Sequence, residues 1–386
     1  MKPSSKSLAI GVAAVATVTM AACSSTSTGT SSAAASGSAA SGQVQSALQE
    51  GYKGTFRPLP TSSPKPVGGK SIWVIASTLQ SPSAANVANG VKQAGDLLGW
   101  KTTVFDGKGS PTQDNDGVRQ AIAAKADAVV LDIIECAPVN AALKEAKAAG
   151  IKIIGTVGND CAAGGAGQDL FDAATYTTYP GGKDALNDQT ARFGAAWIAS
   201  KHPGGVGVLA MVEPDYPSLT PRAQAFKKEL STLCPGCHLD EAEFALTDLG
   251  TNLRQKVESG LLQHPTDDVV VFPYDTAVLL GGSAAVQSSP RHAQLQVLGG
   301  ECVAASVELI RAGTGENACV GTPYPWIGWA AVDSANRVFQ NQPQVDEGIG
   351  QQLVDADHNL PAKGVTYDGT EDYQANFKKI WGVTGP

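Results

Sequence analysis

The feature that most constrains the fold is a regular alternation of short apolar runs with longer stretches of helical periodicity. The apolar runs, rich in β-branched residues, are SIWVIAS (71–77), TTVFDG (102–107), AVVLDII (128–134), IKIIGTV (151–157), GVGVLAM (205–211), DVVVFPY (268–274) and LQVLGG (295–300). Runs of this kind are typical of strands that are buried on both faces. Between the runs, apolar residues recur at helical spacing, as Val87, Val91, Ala94 and Leu98 do.

This order of strand, helix and strand predicts parallel sheets with right-handed crossover connections. The pattern continues to about Thr175 and starts again near Gly205, so we expect an α/β protein with two similar, doubly wound lobes. Open parallel sheets bind their ligands at the carboxyl ends of the strands. If the two sheets face each other, the binding site is the cleft between the lobes.

The N-terminal region predicts export and a lipid anchor. Two lysines precede an apolar stretch (8–22) that is short for a membrane span, and small residues stand directly before Cys23. We expect a lipoprotein signal peptide over 1–22, a lipidated Cys23 and a flexible tether over 23–69 that is rich in small residues and then in proline. For its second, proline-rich part, Val44 to Gly69, two alternatives are open: loose packing on the domain, or mobility. The alternative to the lipoprotein signal is a plain secretory signal in which the cysteine is incidental.

Net charge and hydropathy limit the classes of partner that the protein is expected to bind. The formal net charge is −8, which disfavours nucleic acid and anionic lipid headgroups as ligands. Beyond the N-terminal stretch, no apolar run reaches membrane-spanning length. We therefore expect a domain held by its lipid at the extracytoplasmic face of the cell membrane.

The cysteines agree with export. Of the seven cysteines, six remain when Cys23 is set aside, and an even number in an exported chain favours disulfides. Their order suggests the pairs Cys136–Cys161, Cys234–Cys237 and Cys302–Cys319. The second pair is a CxxC motif, for which redox activity or zinc binding are the alternatives. It follows a helix-like stretch and has no second CxxC to complete a zinc site, so we expect a structural disulfide.

Motifs of catalysis are missing from the sequence. We find no GxSxG, no HExxH, no P-loop and no GxGxxG in a suitable context. The five histidines mostly fall at predicted helix ends or linkers. We therefore expect a protein that is not an enzyme and that has no cofactor and no bound metal.

Several segments carry a resemblance to a known family. The segment from SIWVIASTLQSPSAANVANGVKQAGDLLGWKTTVF to APVNAALKEAKAAGIKII resembles the first lobe of the type I periplasmic sugar-binding proteins, the ribose-binding group. The resemblance resumes with PRAQAFKKEL, VVVFPYDTAVLLGG, LQVLGGE and IGWAAVDSANRVF, so it covers most of residues 70 to about 340. Repressors of the LacI type share this fold, but they carry an N-terminal helix-turn-helix where this chain has an export signal.

The resemblance implies a domain organisation. The family has two lobes joined by a hinge of three segments, which close around the ligand. Carried onto this sequence, lobe one is 70–176 plus 323–350, and lobe two is 177–322 plus 351–386.

The resemblance also implies candidate ligand contacts in lobe two. Arg222, four residues before Phe226, matches a family arginine, and a guanidinium suits hydroxyls or a carboxylate. Asp275 follows a strand where the family has an Asn-Asp pair, with Tyr274 at the preceding position, and it either contacts the ligand or caps a helix. Glu301 occupies the place of the family's sugar-binding aspartate.

In lobe one the loop STLQSP contributes Gln80 and Ser81 to the expected site. In the family the corresponding loop continues with aromatic residues that stack on the sugar, whereas Pro82 is followed here by Ser83 and Ala84. Further polar candidates lie at or beyond the ends of strands, and they are Asp132, Glu135, Asn159 and Asp160. Replacement aromatic candidates are Tyr216, Tyr274, Tyr324 and Trp326.

Together these features predict a solute-binding lipoprotein, a monomer that captures a small polar ligand, first of all a sugar, and delivers it to the membrane permease of an ABC importer. Two alternatives remain open. In the first alternative the protein is a sensory receptor subunit for a membrane kinase or chemoreceptor. In the second its ligand is a nucleoside or a small aromatic or acidic metabolite.

Overall fold

The computed structural model describes residues 31–176 and 179–384, with side chains from residue 41 onward. The expected signal peptide and the expected lipidation at Cys23 lie outside the described residues. The chain divides into a unit of Met1–Ala39 and a compact unit of Ala40–Pro386. Helix α1 (Ser31–Lys53) begins in the first unit, and both lobes belong to the second.

Lobe one is built on a five-stranded parallel sheet with the strand order β2-β1-β3-β4-β5. Its central strand β3 is buried at every residue because helices cover both faces of the sheet. The strands are β1 (Ser71–Ala76), β2 (Lys101–Asp106), β3 (Ala128–Asp132), β4 (Lys152–Gly155) and β5 (Ala173–Ala174), and the helices are α2 (Pro82–Leu97), α3 (Pro111–Ala123) and α4 (Cys136–Ala148).

Lobe two repeats this plan with a six-stranded sheet of order β11-β10-β9-β8-β6-β7, in which only β11 runs antiparallel to its neighbour. Its strands are β6 (Gly207–Val212), β7 (His238–Glu243), β8 (Asp267–Val271), β9 (Gln296–Gly299), β10 (Ala318–Gly321) and β11 (Gln352–Asp355). Its helices are α5 (Gly182–Lys201), α6 (Leu219–Leu233), α7 (Thr251–Gln263), α8 (Asp275–Ala277), α9 (Ser283–Ser288) and α10 (Ala304–Ala312), with a 3₁₀ turn at Leu246–Asp248 and a π-helical turn at Val278–Gly282. The two-lobed α/β fold expected from the sequence is confirmed.

The chain then returns to lobe one through helix α11 (Tyr324–Phe339), which packs against α2. The two helices approach very closely at a pair of glycines. A Cβ on Gly328 would overlap the carbonyl oxygen of Val87 and lie 2.6 Å from the amide nitrogen of Val91. This contact is possible only because neither Gly90 nor Gly328 has a side chain.

Residues 41–69 pack on the domain and do not form a flexible tether, which decides between the two alternatives for the stretch from Val44 to Gly69. Helix α1 buries one apolar stripe in the core of lobe two, formed by Val44, Ala47 and Leu48. Beyond the helix the chain is extended and held by side-chain contacts, including the ion pair of Arg57 with Asp346 at 2.6 Å. These three apolar residues have helical spacing, but the segment around them is so rich in small residues that its composition did not predict a buried helix.

The C-terminal helix α12 (Tyr373–Trp381) lies with lobe one, whereas the sequence expectation placed all of 351–386 in lobe two. Its Tyr373 stacks on Trp326 of α11 with ring centroids 5.2 Å apart, and its Trp381 stacks on Trp329 at 5.7 Å. The indole nitrogen of Trp381 also donates to the buried Asp333. Aromatic burial against α11 therefore decides the position of α12.

The three disulfides have the expected pairing. Bonds join Cys136 to Cys161, Cys234 to Cys237, and Cys302 to Cys319. The described residues contain no helix with the length and apolar character needed to cross a bilayer.

Candidate functional site

A cavity of about 100 Å³ lies between the lobes, where the carboxyl ends of both sheets meet. Loops that follow β1, β3 and β4 form one wall, and loops that follow β6, β8 and β9 form the other. Its lining mixes hydroxyl groups and a few charges with apolar surface, and it consists of Ser77, Thr78, Ser81, Ile133, Val157, Glu213, Tyr216, Ser218, Leu219, Arg222, Leu246, Leu249, Tyr274, Thr276, Glu301 and Tyr324. The topology accounts for this position, because parallel strands collect their following loops at one edge.

Arg222 lies in the first turn of α6 and reaches this cavity. Its Nη1 donates to the carbonyl oxygen of Pro273 at 2.8 Å, which fixes the guanidinium against the loop that follows β8. Its Nε is buried and has no hydrogen-bond partner within the described chain. A buried cationic donor without an acceptor is costly, so the Arg222 guanidinium is a candidate to bind a ligand oxygen in this cavity.

Glu301 follows β9 and connects the lobes. Its Oε1 accepts from the hydroxyl of Tyr324 at 2.8 Å, and its Oε2 accepts from Ser83 of lobe one at 2.6 Å and from the amide of Asp275 at 3.1 Å. Burial, followed by repulsion from Asp275, raises the pKa of Glu301 to about 7. The carboxyl group thus serves both as part of the lining and as a bridge across the cleft.

Asp275 lies beneath this lining and is fully buried. Its Oδ1 accepts from the amides of Gly300 and Glu301, and its Oδ2 accepts from the amide of Val303. Burial raises its pKa, although these hydrogen bonds oppose the shift. Asp275 therefore holds the loop after β9 in place through these hydrogen bonds, and it does not line the cavity.

Further contacts cross the cleft. The hydroxyl of Tyr216 donates to the carbonyl oxygen of Ile133 at 2.6 Å, and the hydroxyls of Ser81 and Thr276 lie 3.0 Å apart. In addition, Glu135 at the start of α4 accepts from the amide of Ser218 at 3.0 Å. The lobes are therefore closed onto each other, and the cavity has the volume of roughly three water molecules.

Three tyrosines supply the aromatic lining. Tyr216, Tyr274 and Tyr324 all line the cavity, and the hydroxyl of Tyr274 donates to Glu213 at 2.6 Å. Trp326 does not line it, because this residue is fully buried and stacks between Phe56 and Tyr373.

The remaining candidates of lobe one lie around the cavity and do not line it. Gln80 is exposed at the loop after β1, and Asp132 is fully buried without a hydrogen bond to its carboxylate in the described chain. Asn159 donates its amide to Glu135 at 2.9 Å, while Asp160 accepts from three backbone amides of its own loop. The structure thus brings together Ser81, Arg222, Glu301 and the three tyrosines, with Glu135 at the rim.

Sequence reasoning missed several polar groups near the cavity. Glu213 directly follows β6, and this position after a strand was a usable signal. Lys183 donates to the carbonyl oxygen of Val157 at 2.5 Å and to Asn159 at 2.8 Å, and burial lowers its pKa to about 8. Tyr176 is buried with no partner for its hydroxyl among the described residues, and it follows a strand of two residues that leaves no recognisable pattern.

Comparisons with known proteins agree with this architecture. The sequence profile described as "Periplasmic binding protein domain" matches residues 72–343. No curated protein sequence matches the chain.

Solved structures are similar in fold. An ABC transporter solute-binding protein from Agrobacterium vitis, bound with α-D-tagatopyranose, superposes with a TM-score of 0.66 at 18% identity, covering 78% of this chain and 100% of that chain. One from Mycobacterium smegmatis with bound glycerol gives 0.65 at 18% identity, with 78% and 100% covered. One from Burkholderia graminis in complex with D-arabinose gives 0.63 at 19% identity, with 78% and 98% covered.

Proposed function

The chain belongs to the periplasmic binding protein domain family, and from this membership we propose that it captures a small polar solute outside the cell and delivers it to the permease of an ATP-driven importer. The ligand binds in the cavity between the lobes. Members of this family bind solutes and do not catalyse reactions, so the described polar groups are assigned to recognition.

The observation that carries the proposal is Arg222, which lines the cavity and whose buried Nε has no acceptor within the described residues. A ligand hydroxyl or carboxylate would supply that acceptor. Glu301 belongs to the same lining and already connects the lobes through Ser83, so a ligand bound here contacts groups that hold the cleft closed.

A sugar is the ligand class that we propose first. The structures similar in fold include proteins bound with D-arabinose and α-D-tagatopyranose. The loop after Pro82 lacks aromatic residues, but Tyr216, Tyr274 and Tyr324 offer rings on which a pyranose face packs. Hydrogen bonds between the lobes close the cleft around this cavity, so entry of a monosaccharide requires the lobes to separate and close again.

The lining also favours a second ligand class. Apolar side chains such as Ile133, Val157 and Leu219 supply much of the wall, and Arg222 is the cation in it. This combination suits a small aromatic or acidic metabolite, or a nucleoside, whose carboxylate or base would face the guanidinium.

A calorimetric titration of the full chain against pentoses, hexoses, nucleosides and aromatic acids tests the proposal. The expected result is saturable binding of one class and a roughly ten- to hundredfold weaker affinity in Arg222→Ala, since hydrogen bonds to charged groups are worth about 1.5–3 kcal/mol. Arg119→Ala is the matched control, because Arg119 is an exposed residue paired with Glu145. Unchanged affinity in Arg222→Ala would remove this residue from the site, and binding of only the aromatic acids or nucleosides would replace the sugar.

We also propose that the mature protein is a monomer tethered at the extracytoplasmic face of the membrane by a lipid on Cys23. The support is the charged, apolar and small-residue order of residues 1–22 and the six disulfide-bonded cysteines, which fit an oxidising compartment. Expression of the wild type and of Cys23→Ala, followed by detergent phase partition and intact mass measurement, tests the anchor. The wild type should partition with the detergent and carry acyl mass, and a wild type without added mass would contradict the anchor.

The receptor alternative uses the same binding chemistry and differs only in the partner. Reconstitution in liposomes separates the two. Ligand-dependent stimulation of an importer's ATP hydrolysis by the loaded protein supports delivery, whereas stimulation of a sensor kinase alone supports the receptor.

A further inference from the structure

At the amino end of the sheet of lobe two, away from the cleft, four potential metal ligands lie together. Nε2 of His238 is 3.0 Å from Oδ1 of Asp267 and 3.5 Å from Oδ2 of Asp240. Nδ1 of His264 is 3.0 Å from the same Oδ2 of Asp240. The ligand atoms of the first three residues all lie within 4.8 Å of one another.

A glycine on the intervening strand makes this cluster possible. Strand β6 runs between β7 and β8, and its residue Gly207 pairs with His238 on one side and with Asp267 on the other. A Cβ at Gly207 would overlap Oδ1 of Asp267 and lie 2.7 Å from Cε1 of His238. Because this side chain is missing, residues from two strands that are not neighbours meet above the third.

Asp267 is the second, independent sign of a ligand. Its side chain is 0% exposed, and neither carboxylate oxygen accepts a well-aligned hydrogen bond from any described residue. A buried carboxylate of this kind is normally paired, hydrogen-bonded or bound to a metal, and a cation would satisfy both oxygens.

We propose that His238, Asp240, His264 and Asp267 form a zinc site. Imidazole nitrogens and carboxylate oxygens are usual zinc ligands, and structural zinc sites have four ligands in a tetrahedron. With bonds of about 2.0–2.1 Å, the ligand atoms of such a tetrahedron lie roughly 3.3 Å apart. Three of the six ligand-atom pairs, at 3.0, 3.0 and 3.5 Å, are close to this edge length. His264 lies outside the group of ligand atoms within 4.8 Å of one another, so its side chain has to move toward His238 and Asp267 to complete the tetrahedron.

The surroundings suit a structural role. The Cys234–Cys237 disulfide directly precedes His238 and fixes the start of β7. The amide of Asp267 donates to the carbonyl oxygen of His264 at 3.1 Å, so a tight turn places these two ligands together. His238 is 54% exposed, which gives an ion access from solvent to the buried carboxylate. Zinc would thus join β7, α7 and β8 at the end of lobe two.

A second cluster among the described residues does not compete for this assignment. Cys136, Asp160 and Cys161 also lie within ligand distance of one another, but their sulfurs form a disulfide. Thiolates are the soft ligands that zinc prefers, and a disulfide offers none.

Calorimetric titration of the untagged full chain, depleted of metal by a chelator, with zinc chloride tests the proposal. We expect one equivalent of zinc to bind, at least hundredfold weaker binding in His238→Ala/His264→Ala, and at least tenfold weaker binding in Asp240→Asn. His292→Ala is the control and should bind zinc as the wild type does, since this exposed histidine lies outside the cluster.

Thermal melting of each metal-depleted variant shows whether that variant folds. If the double variant does not fold, Asp240→Asn, which lies at a partly exposed position, decides the outcome. The proposal is overturned if 100 μM zinc neither binds to the wild type nor raises its melting temperature. It is overturned equally if the folded cluster variants bind zinc as tightly as the His292→Ala control. Ligand affinity at the interlobe cavity should be unchanged in all of these variants, so the result is independent of the proposed solute.

Discussion

The hydrogen bond from Ser83 to Glu301 offers a direct test of how the lobes are held closed. Ser83 is fully buried in the first turn of α2, and its Oγ donates to Oε2 of Glu301 in lobe two at 2.6 Å. Substitution by alanine removes this donor and leaves the backbone of lobe one unchanged, since alanine is well tolerated in helices. We expect Ser83→Ala to shift the equilibrium toward the open form.

The structure sets the size of this shift. Above pH 7, where Glu301 with its pKa of about 7 is ionised, a hydrogen bond to its carboxylate contributes about 1.5–3 kcal/mol. Oε2 of Glu301 keeps a second donor, the amide of Asp275 at 3.1 Å, so the oxygen is not left unsatisfied. The loss should therefore lie at the lower end, about 1.5 kcal/mol, which corresponds to a roughly tenfold larger open fraction.

Hydrogen exchange measures this fraction without knowledge of the ligand. The amide of Ser218 in lobe two donates to Oε1 of Glu135 in lobe one, so it exchanges when the lobes separate. We expect its exchange in the ligand-free protein to be about tenfold faster in Ser83→Ala. Amides within β3 should exchange as in the wild type, because their partners lie in the same lobe.

Ser110→Ala is the matched control. Ser110 stands directly before α3, just as Ser81 stands directly before α2. The side chain of Ser110 makes no capping hydrogen bond. An unchanged exchange rate of the Ser218 amide in Ser83→Ala would refute the reasoning, because Ser83 would then contribute nothing to closure. Equal acceleration in the control would show a general loss of stability instead.

Three further predictions concern stability. Gly328→Ala should destabilise the protein by about 2–3 kcal/mol in denaturant unfolding, because its Cβ meets the backbone of α2, whereas Gly42→Ala, with nothing within 4 Å, should not. The double variant Cys302→Ser/Cys319→Ser, which opens a loop of 17 residues, should lose about 3 kcal/mol by the same measurement. The pKa of Glu301 is raised from 4.5 to about 7 in the folded state, so the folded protein binds this proton more tightly than the unfolded chain does. The contribution of this proton to the free energy of unfolding is therefore lost as the pH rises from 4.5 to about 7, by up to about 1.4 kcal/mol per pH unit. Glu301→Gln should flatten this part of the stability–pH profile.

The sequence was informative about the fold for most of the parallel strands. Each of the seven apolar runs contains or overlaps a strand, and most of these strands are central ones that need apolar residues on both sides. The short strands β10 and β11 were missed although they are buried at every residue. Strand β7 was missed because it is an edge strand with the polar sequence HLDEAE, of which no residue is fully buried. The two residues of β5 are too few to show any period.

The candidate site was predictable to the extent that topology alone determines it. Arg222 and Glu301 were carried over from the family resemblance, and Tyr216 and Tyr274 were named as replacement aromatic residues. All four follow strands or begin helices at one edge of a sheet, where ligand loops collect. Ser83 was read only as a missing aromatic residue, yet it makes the shortest hydrogen bond to the carboxylate of Glu301. A contact between lobes depends on how the two sheets are oriented, and a local pattern carries no information about that orientation.

The same limit explains the N-terminal segment and α12. The residues Val44, Ala47 and Leu48 form a stripe in a stretch whose composition predicts disorder, and their burial depends on the surface that α5 and α6 present. Helix α12 joins lobe one because Trp326 and Trp329 of α11 offer aromatic partners. In both cases the partner surface is distant in sequence.

The disulfides acquire a specific role once the cleft contacts are known. Cys136–Cys161 joins the start of α4 to the loop after β4, directly beside Glu135, and Cys302–Cys319 holds the loop after β9, directly beside Glu301. Each of these two glutamates accepts a hydrogen bond from the opposite lobe, from Ser218 and Ser83 respectively. One disulfide in each lobe therefore fixes the loop that carries a bridging carboxylate. Closure by these contacts then requires little ordering of the loops, because the covalent bonds restrict them already in the open form.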